Sequence, residues 1–230
     1  MYIPIIHTNP DLGSLAADLE DKAVKLLGNY WREHKWTIKR YWQEIDRFLQ
    51  RKTFTKVLIF QDGLPEGGET AQVIIDKLAQ TGSPNYQLLK ALAEKGAQIQ
   101  KTEDPELLKK EYQLTKDLAT KKNLLSTIFA FVKYKLKKNG LLKARDSYIA
   151  KQINQNLKED ETGICFLGAY HDILSKLGSD IKIVLVKNPD KVKEYYQRLT
   201  HGETVGTINK LARYLANPIK NGVVFHYQKI

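Results

Sequence analysis

Short, mostly apolar runs alternate with longer stretches of helical periodicity along this chain. Tyr2–His7, Lys56–Phe60, Ala97–Lys101, Gly163–Leu167 and Ile181–Val186 read as five strands, and Val223–Tyr227 as a last strand at an edge. Apolar runs that do not alternate, separated by helices, predict a mostly parallel sheet covered on both faces. Between the strands, apolar residues recur every three to four positions. Leu15, Leu19, Ala23, Leu26 and Leu27 begin such a series, and Trp31, Ile38, Trp42, Ile45, Phe48 and Leu49 continue it, with a break near Gly28-Asn29. Further helices are predicted over Thr70–Gln80, Asn85–Lys95, Glu106–Lys138, Leu141–Leu157, Pro189–Leu199 and around Thr207–Leu215.

Punctuation supports these boundaries. Gly82-Ser83-Pro84 separates two helices, and Gly96 follows the second as a C-cap. Thr102 or Asp104 suits an N-cap with Pro105 at the first helical position, and Asn139-Gly140 reads as a helix end. The fold expected is a single α/β domain over 1–230. It has a mostly parallel central sheet of about five strands with helices on both faces. The helical blocks at about 15–50 and 106–158 are large for simple crossovers and read as insertions forming an added helical lobe.

No apolar run approaches the roughly 18 residues of a membrane span. The opening Met1-Tyr2-Ile3-Pro4-Ile5-Ile6-His7 has neither a basic region nor a long apolar core, so no signal peptide is read there. A single cysteine, Cys165, sits inside a strand pattern and reads as a small core residue. These features fit a cytoplasmic protein.

Charge is uneven. The net charge is +11, and residues 101–230 carry 24 Lys/Arg against 14 Asp/Glu. Lys121-Lys122 and Lys133-Tyr134-Lys135-Leu136-Lys137-Lys138 are the densest clusters. Such an excess attracts nucleic acid or another polyanion, and the 101–158 region is the candidate surface; a solvated lysine face is the other reading.

Candidate chemistry gathers where strands break into polar residues. His7 comes with Asn9 and Asp11, Gln61 with Asp62, Thr102 with Glu103 and Asp104, and His171 with Asp172. In an open α/β sheet the residues past the carboxyl ends of strands converge on one crevice. His7, His171 and Asp62 are therefore candidate ligands for a divalent metal of unspecified identity, with Glu103 as a further catalytic carboxylate. Arg145 is the candidate anion-stabilising charge. Each residue also has a bland reading: His171 as a helix cap, Glu103-Asp104 as a helix N-terminus, Arg145-Asp146 as a local surface pair. Gly-x-Gly-x-x-Gly, the P-loop pattern and Gly-x-Ser-x-Gly are all absent.

Two blocks carry a family resemblance. One is Ile5-Ile6-His7-Thr8 with Ser14 opening a helix and Ile59-Phe60-Gln61-Asp62 ending the second strand. The other is Ala144-Arg145-Asp146-Ser147-Tyr148-Ile149-Ala150-Lys151 followed by Ile164-Cys165-Phe166-Leu167-Gly168-Ala169-Tyr170-His171. In order and spacing the chain resembles the TraB/PrgY, Tiki, EreA and ChaN-like superfamily. That resemblance implies an α/β fold and a metal-dependent hydrolase acting on an unknown substrate, with His7, His171, Asp62 and Arg145 in its site, to which the strand-end pattern adds Glu103. The alternatives are a non-catalytic basic α/β module binding nucleic acid or another polyanion, and a small-molecule sensor.

Overall fold

The computed structural model describes residues 1–6, 8, 29–120, 124–201 and 205–225. Its six strands are β1 (Tyr2–Ile5), β2 (Val57–Gln61), β3 (Gln98–Gln100), β4 (Thr162–Gly168), β5 (Ile183–Leu185) and β6 (Val223–Phe225). Helices α1 (Asn29–Gln50), α2 (Gly68–Gln80), α3 (Pro84–Glu94), α4 (Pro105–Thr120), α5 (Leu124–Asn156), α6 (Pro189–His201) and α7 (Val205–Ala216) lie between them. The strand order is β3-β2-β4-β1-β5-β6. The first five run parallel, and β6 adds an antiparallel edge.

The strand faces sort the core into two layers. Ile3, Ile5, Ile59, Ile99, Ile164 and Phe166 face α1, α2, α3, α6 and α7. Tyr2, Leu58, Phe60, Cys165, Leu167, Ile183 and Leu185 face the carboxyl half of α5 through Ile149, Ala150 and Ile153. Successive strand residues point to opposite faces, so both sets must be apolar in the central strands, and β2 and β4 read as unbroken apolar runs for that reason. Helices thus cover both faces of a mostly parallel sheet, as the pattern predicts.

Helix α1 belongs to the core. Ile38, Tyr41, Trp42, Ile45, Phe48 and Leu49 are buried at helical spacing. It also fixes the end of β1: the Tyr41 hydroxyl donates to the Pro4 carbonyl, and Trp42 Nε1 donates to the Ile6 carbonyl at 3.0 Å. The part of the predicted helix before Asn29, with His7, Asn9, Asp11 and Ser14, lies outside the described residues.

Two predicted boundaries fail. The helix predicted over Glu106–Lys138 is divided between α4, which ends at Thr120, and α5, which begins at Leu124. Asn139-Gly140 does not end a helix; α5 runs through it from Leu124 to Asn156. A helical glycine costs about 1 kcal/mol relative to alanine. That cost is outweighed here by the buried stripe of Arg145, Asp146, Ile149, Ala150 and Ile153 one turn and more beyond it. The Asp104 side chain caps α4, accepting from the Glu106 and Leu107 amides at 2.8 and 3.1 Å, with Pro105 at the first position.

The connections also locate a crevice. From β2 the chain moves to β3 at one edge, while from β4 it moves to β5 on the other side. Adjacent strands whose connections leave in opposite directions open a cleft at their carboxyl ends. That switch point lies between β2, which ends at Gln61, and β4, which ends at Gly168.

Candidate active site

The candidate side chains are delivered by the ends of three strands and by one helix. Asp62 directly follows β2, and its amide donates to the Phe166 carbonyl at 2.8 Å, continuing the ladder by one residue. Glu103 follows β3. The Thr102 and Glu103 amides both donate to the Leu64 carbonyl at 3.1 Å, and the Thr102 hydroxyl accepts from the Gln61 amide at 3.0 Å. The loops after β2 and β3 are thereby tied together. Gly67 makes this close approach feasible, since a Cβ there would stand 3.0 Å from the Lys101 amide nitrogen.

Arg145 and Asp146 come from α5, on the stripe that packs Ile149, Ala150 and Ile153 against the sheet. The helix runs back toward the start of β4, so the earlier residues of this stripe lie toward the carboxyl edge, where it changes from apolar to charged. His171 follows β4, and its amide donates to the Gly168 carbonyl at 3.0 Å. Gly168 donates its own amide to Asp62 Oδ2 at 2.9 Å; a Cβ at this position would also stand 2.9 Å from that oxygen. A side chain at 168 would therefore displace the carboxylate.

These groups form one network. The Arg145 guanidinium donates to both oxygens of Glu103, with Nε to Oε2 at 3.2 Å, to Asp62 Oδ1 at 2.6 Å, and to Glu111 on α4. On the other side of Asp62, His171 Nε2 lies 3.3 Å from Oδ2, while His171 Nδ1 lies 2.6 Å from Asp146 Oδ1. The second oxygen of Asp146 accepts from the Asp172 amide at 3.2 Å. Four carboxylates therefore surround one guanidinium and one imidazole. The Glu103 side chain is wholly buried, and Asp62 keeps 13% exposure.

Burial and charge perturb the protonation of this network. Glu103 is pushed up to about 7, mainly by burial; the hydrogen bond and charge of Arg145 pull the other way without prevailing. For His171, burial disfavours the charged ring, but Asp62 and Asp146 outweigh it and raise the imidazole to about 10. Arg145 is likewise held charged by Glu103, Asp62 and Glu111 against its burial. Perturbed groups concentrated in a crevice mark a candidate functional site.

The structure thus brings together four of the predicted site residues: Asp62, Glu103, Arg145 and His171. The fifth, His7, lies outside the described residues. Arg145 and Asp146 are not a local surface pair; both are buried and turn to different partners. The guanidinium is committed to three carboxylates, so its resting role is to hold Asp62 and Glu103 in place. Sequence reasoning missed two members, Asp146 as a partner of His171 and Glu111 as a partner of Arg145. Asp146 was readable as a charge inside an apolar helical stripe, whereas Glu111 is one of several acids on a polar helix and carries no such signal.

A cation would find suitable donors here. Asp62, Glu103 and His171 each offer one ligand atom, and these atoms lie within 4.8 Å of one another. Two carboxylates and an imidazole suit divalent transition metals. A carboxylate on the far ring nitrogen, as Asp146 is on Nδ1, is the usual support of a ligating histidine and leaves Nε2 facing the other donors. Cys165 takes no part: it is buried in the sheet, and burial pushes its thiol up to about 11.

The polyanion surface expected over 101–158 falls largely on side chains at 117–137, which lie outside the described residues. Among the described residues no helix is long and apolar enough to cross a membrane. Comparison with protein-family models, with curated proteins and with solved structures finds no match for the chain.

Proposed function

We propose that the crevice between β2 and β4 is the active site of a metal-dependent hydrolase of the TraB/ChaN-like type. Asp62, Glu103 and His171 would hold one divalent cation. The observation that carries this reading is the approach of their three ligand atoms to within 4.8 Å, at the topological switch point of a parallel sheet. The resemblance of the Arg145 helix and the Gly168-x-x-His171 strand end to that superfamily supports it independently. A divalent cation supplies Lewis acidity, which acidifies water and polarises the bond to be cleaved.

The chain's own groups divide the remaining work. Asp146 fixes the ring orientation of His171 through Nδ1. Arg145 holds Asp62 and Glu103 at fixed separation and keeps their repulsion from spreading the site. Glu103, raised toward neutrality by burial in the metal-free protein, would be returned to its ionised form by the cation it holds.

Hydrolysis of a panel of peptide, ester and phosphoester substrates tests the reading. Turnover should fall at least a hundredfold in chelator and return on adding back a divalent transition metal. Asp62→Asn should not recover under either condition. Asp146→Asn should fold and weaken the metal by about 10–100-fold, the usual effect of losing a ligand's hydrogen-bond partner. Turnover insensitive to chelator, or unchanged in Asp62→Asn, would refute the assignment.

A further inference from the structure

Arg145 meets its three carboxylates on unequal terms. The Glu103 side chain is wholly buried and Asp62 nearly so, whereas the Glu111 side chain on α4 is 41% exposed. Nη1, which Glu111 holds, is therefore the corner of the buried guanidinium nearest to solvent. A guanidinium has five N–H donors. Four are engaged here: Nε on Glu103, Nη2 on Glu103 and Asp62, and Nη1 on Glu111. The second N–H of Nη1 meets no acceptor among the described residues.

The three contacts differ in what their loss would cost. Releasing Glu103 would strand a buried carboxylate. Asp62 is also fixed by the Gly168 amide and by His171. Releasing Glu111 strands no buried charge, because its carboxylate turns to water. An incoming carboxylate would replace one charge-assisted hydrogen bond by another. Such an exchange leaves the charge of the site unchanged. A dianionic phosphate would instead add a negative charge beside Asp62 and Glu103.

We propose that the substrate bears a carboxylate that binds Arg145 at Nη1, and that Glu111 fills this place in the resting site. This rests on the metal-hydrolase reading, because the bond to be cleaved must reach a cation among Asp62, Glu103 and His171. A carboxylate on Nη1 stands beside Asp62, which the adjacent nitrogen Nη2 of the same planar group holds at 2.6 Å. One guanidinium thus fixes both a metal donor and the charged end of the substrate. Glu111 is a specificity-determining residue: only a group that outcompetes its carboxylate gains Nη1.

The test is calorimetric titration of two carboxylates into the full chain with saturating Mn²⁺. N-acetylglycine presents a chain-end carboxylate, and the α-amide of N-acetylglutamate presents a side-chain one; the tighter of the two identifies the source. Glu111→Ala should bind it about tenfold more tightly than wild type, because the internal competitor is gone. Glu106→Ala, which removes an exposed acid elsewhere on α4, should match wild type. Adding Arg145→Lys to Glu111→Ala should abolish the gain, since one ammonium cannot replace the planar fork. N-acetylglycinamide, which lacks the charge, should bind none of these proteins. No gain in Glu111→Ala, an equal gain in Glu106→Ala, a gain that survives Arg145→Lys, or tighter binding of methyl phosphate than of either carboxylate would overturn the proposal. Mn²⁺ titration of Glu111→Ala keeps the two readings apart. Uptake of one ion without the gain in carboxylate affinity defeats the exchange alone, and the gain without ion uptake defeats the metal reading alone.

Discussion

Arg145→Ala should lose about 3–5 kcal/mol of folding stability, the usual cost of removing one partner from a buried ion pair. The guanidinium balances the fully buried Glu103 and the nearly buried Asp62, and truncation strips Glu103 of its contacting counter-charge and leaves Asp62 with His171 alone. The third partner, Glu111, is 41% exposed and can turn to water, so it adds little to the loss. Arg145→Lys should recover only part, since one ammonium cannot span both Glu103 oxygens and Asp62 as the planar fork does. Adding Glu103→Gln to Arg145→Ala should restore a large share by removing the stranded charge. Urea unfolding at pH 7 measures all four proteins. An Arg145→Ala midpoint within 1 kcal/mol of wild type would show that the network does not stabilise the fold.

A second large effect concerns pH. In the metal-free protein His171 titrates at about 10, against an ordinary value of 6.5 in an unfolded chain. The folded state therefore holds its proton more tightly. The resulting stability is fully present below about pH 6.5 and is lost as pH rises through 10. A shift of this size corresponds to about 5 kcal/mol. Asp62 and Asp146 supply it against burial and against the nearby charge of Arg145.

Two other groups titrate in or near this range. Glu103, raised to about 7 chiefly by burial, makes stability fall between about pH 4.5 and 7, below most of the His171 window. Lys187 acts in the opposite sense. Burial pushes it down to about 8, so the cost of its charge is relieved as pH rises above 8. It is held by the Tyr214 and Asn217 carbonyls at the end of α7, both at 2.9 Å. Unfolding of wild type and His171→Gln in chelator, compared at pH 6 and pH 9.5, isolates the histidine. The wild-type advantage should shrink by several kcal/mol at the higher pH. An unchanged gap would mean that the imidazole is not held charged between Asp62 and Asp146.

Much of the fold was legible because burial on both faces leaves a plain mark. Ile164-Cys165-Phe166-Leu167 and Val57-Leu58-Ile59-Phe60 are apolar without alternation, and each proves to be a central strand with one core layer on either side. The site was legible to the extent that it follows strand ends: Asp62 after β2, Glu103 after β3 and His171 after β4. What failed was local punctuation against tertiary packing. Gly140 looked like a helix terminator, yet the stripe from Arg145 to Ile153 anchors the helix beyond it. Asp146 was misread because a charged pair on a helix is usually solvated; its place in the apolar stripe marks it as buried, but its partner depends on where α5 crosses the edge of the sheet, which no local pattern encodes. Glu111 depends on the packing of α4 against α5 and is invisible for the same reason. β3, only three residues with an exposed and a half-buried glutamine, was recognisable chiefly from the turn signals around it.

Binding calorimetry with Mn²⁺ and Zn²⁺ tests whether Asp62, Glu103 and His171 take one divalent cation. Titrations at pH 8 in buffers of different ionisation enthalpy give the stoichiometry and the protons released together. A ring held protonated at both nitrogens must give up its Nε2 proton to become a ligand. One ion per chain should bind at pH 8 with release of about one proton, both lost in His171→Gln and the ion lost in Asp62→Asn. No uptake at millimolar metal, or uptake that survives both substitutions, would contradict it.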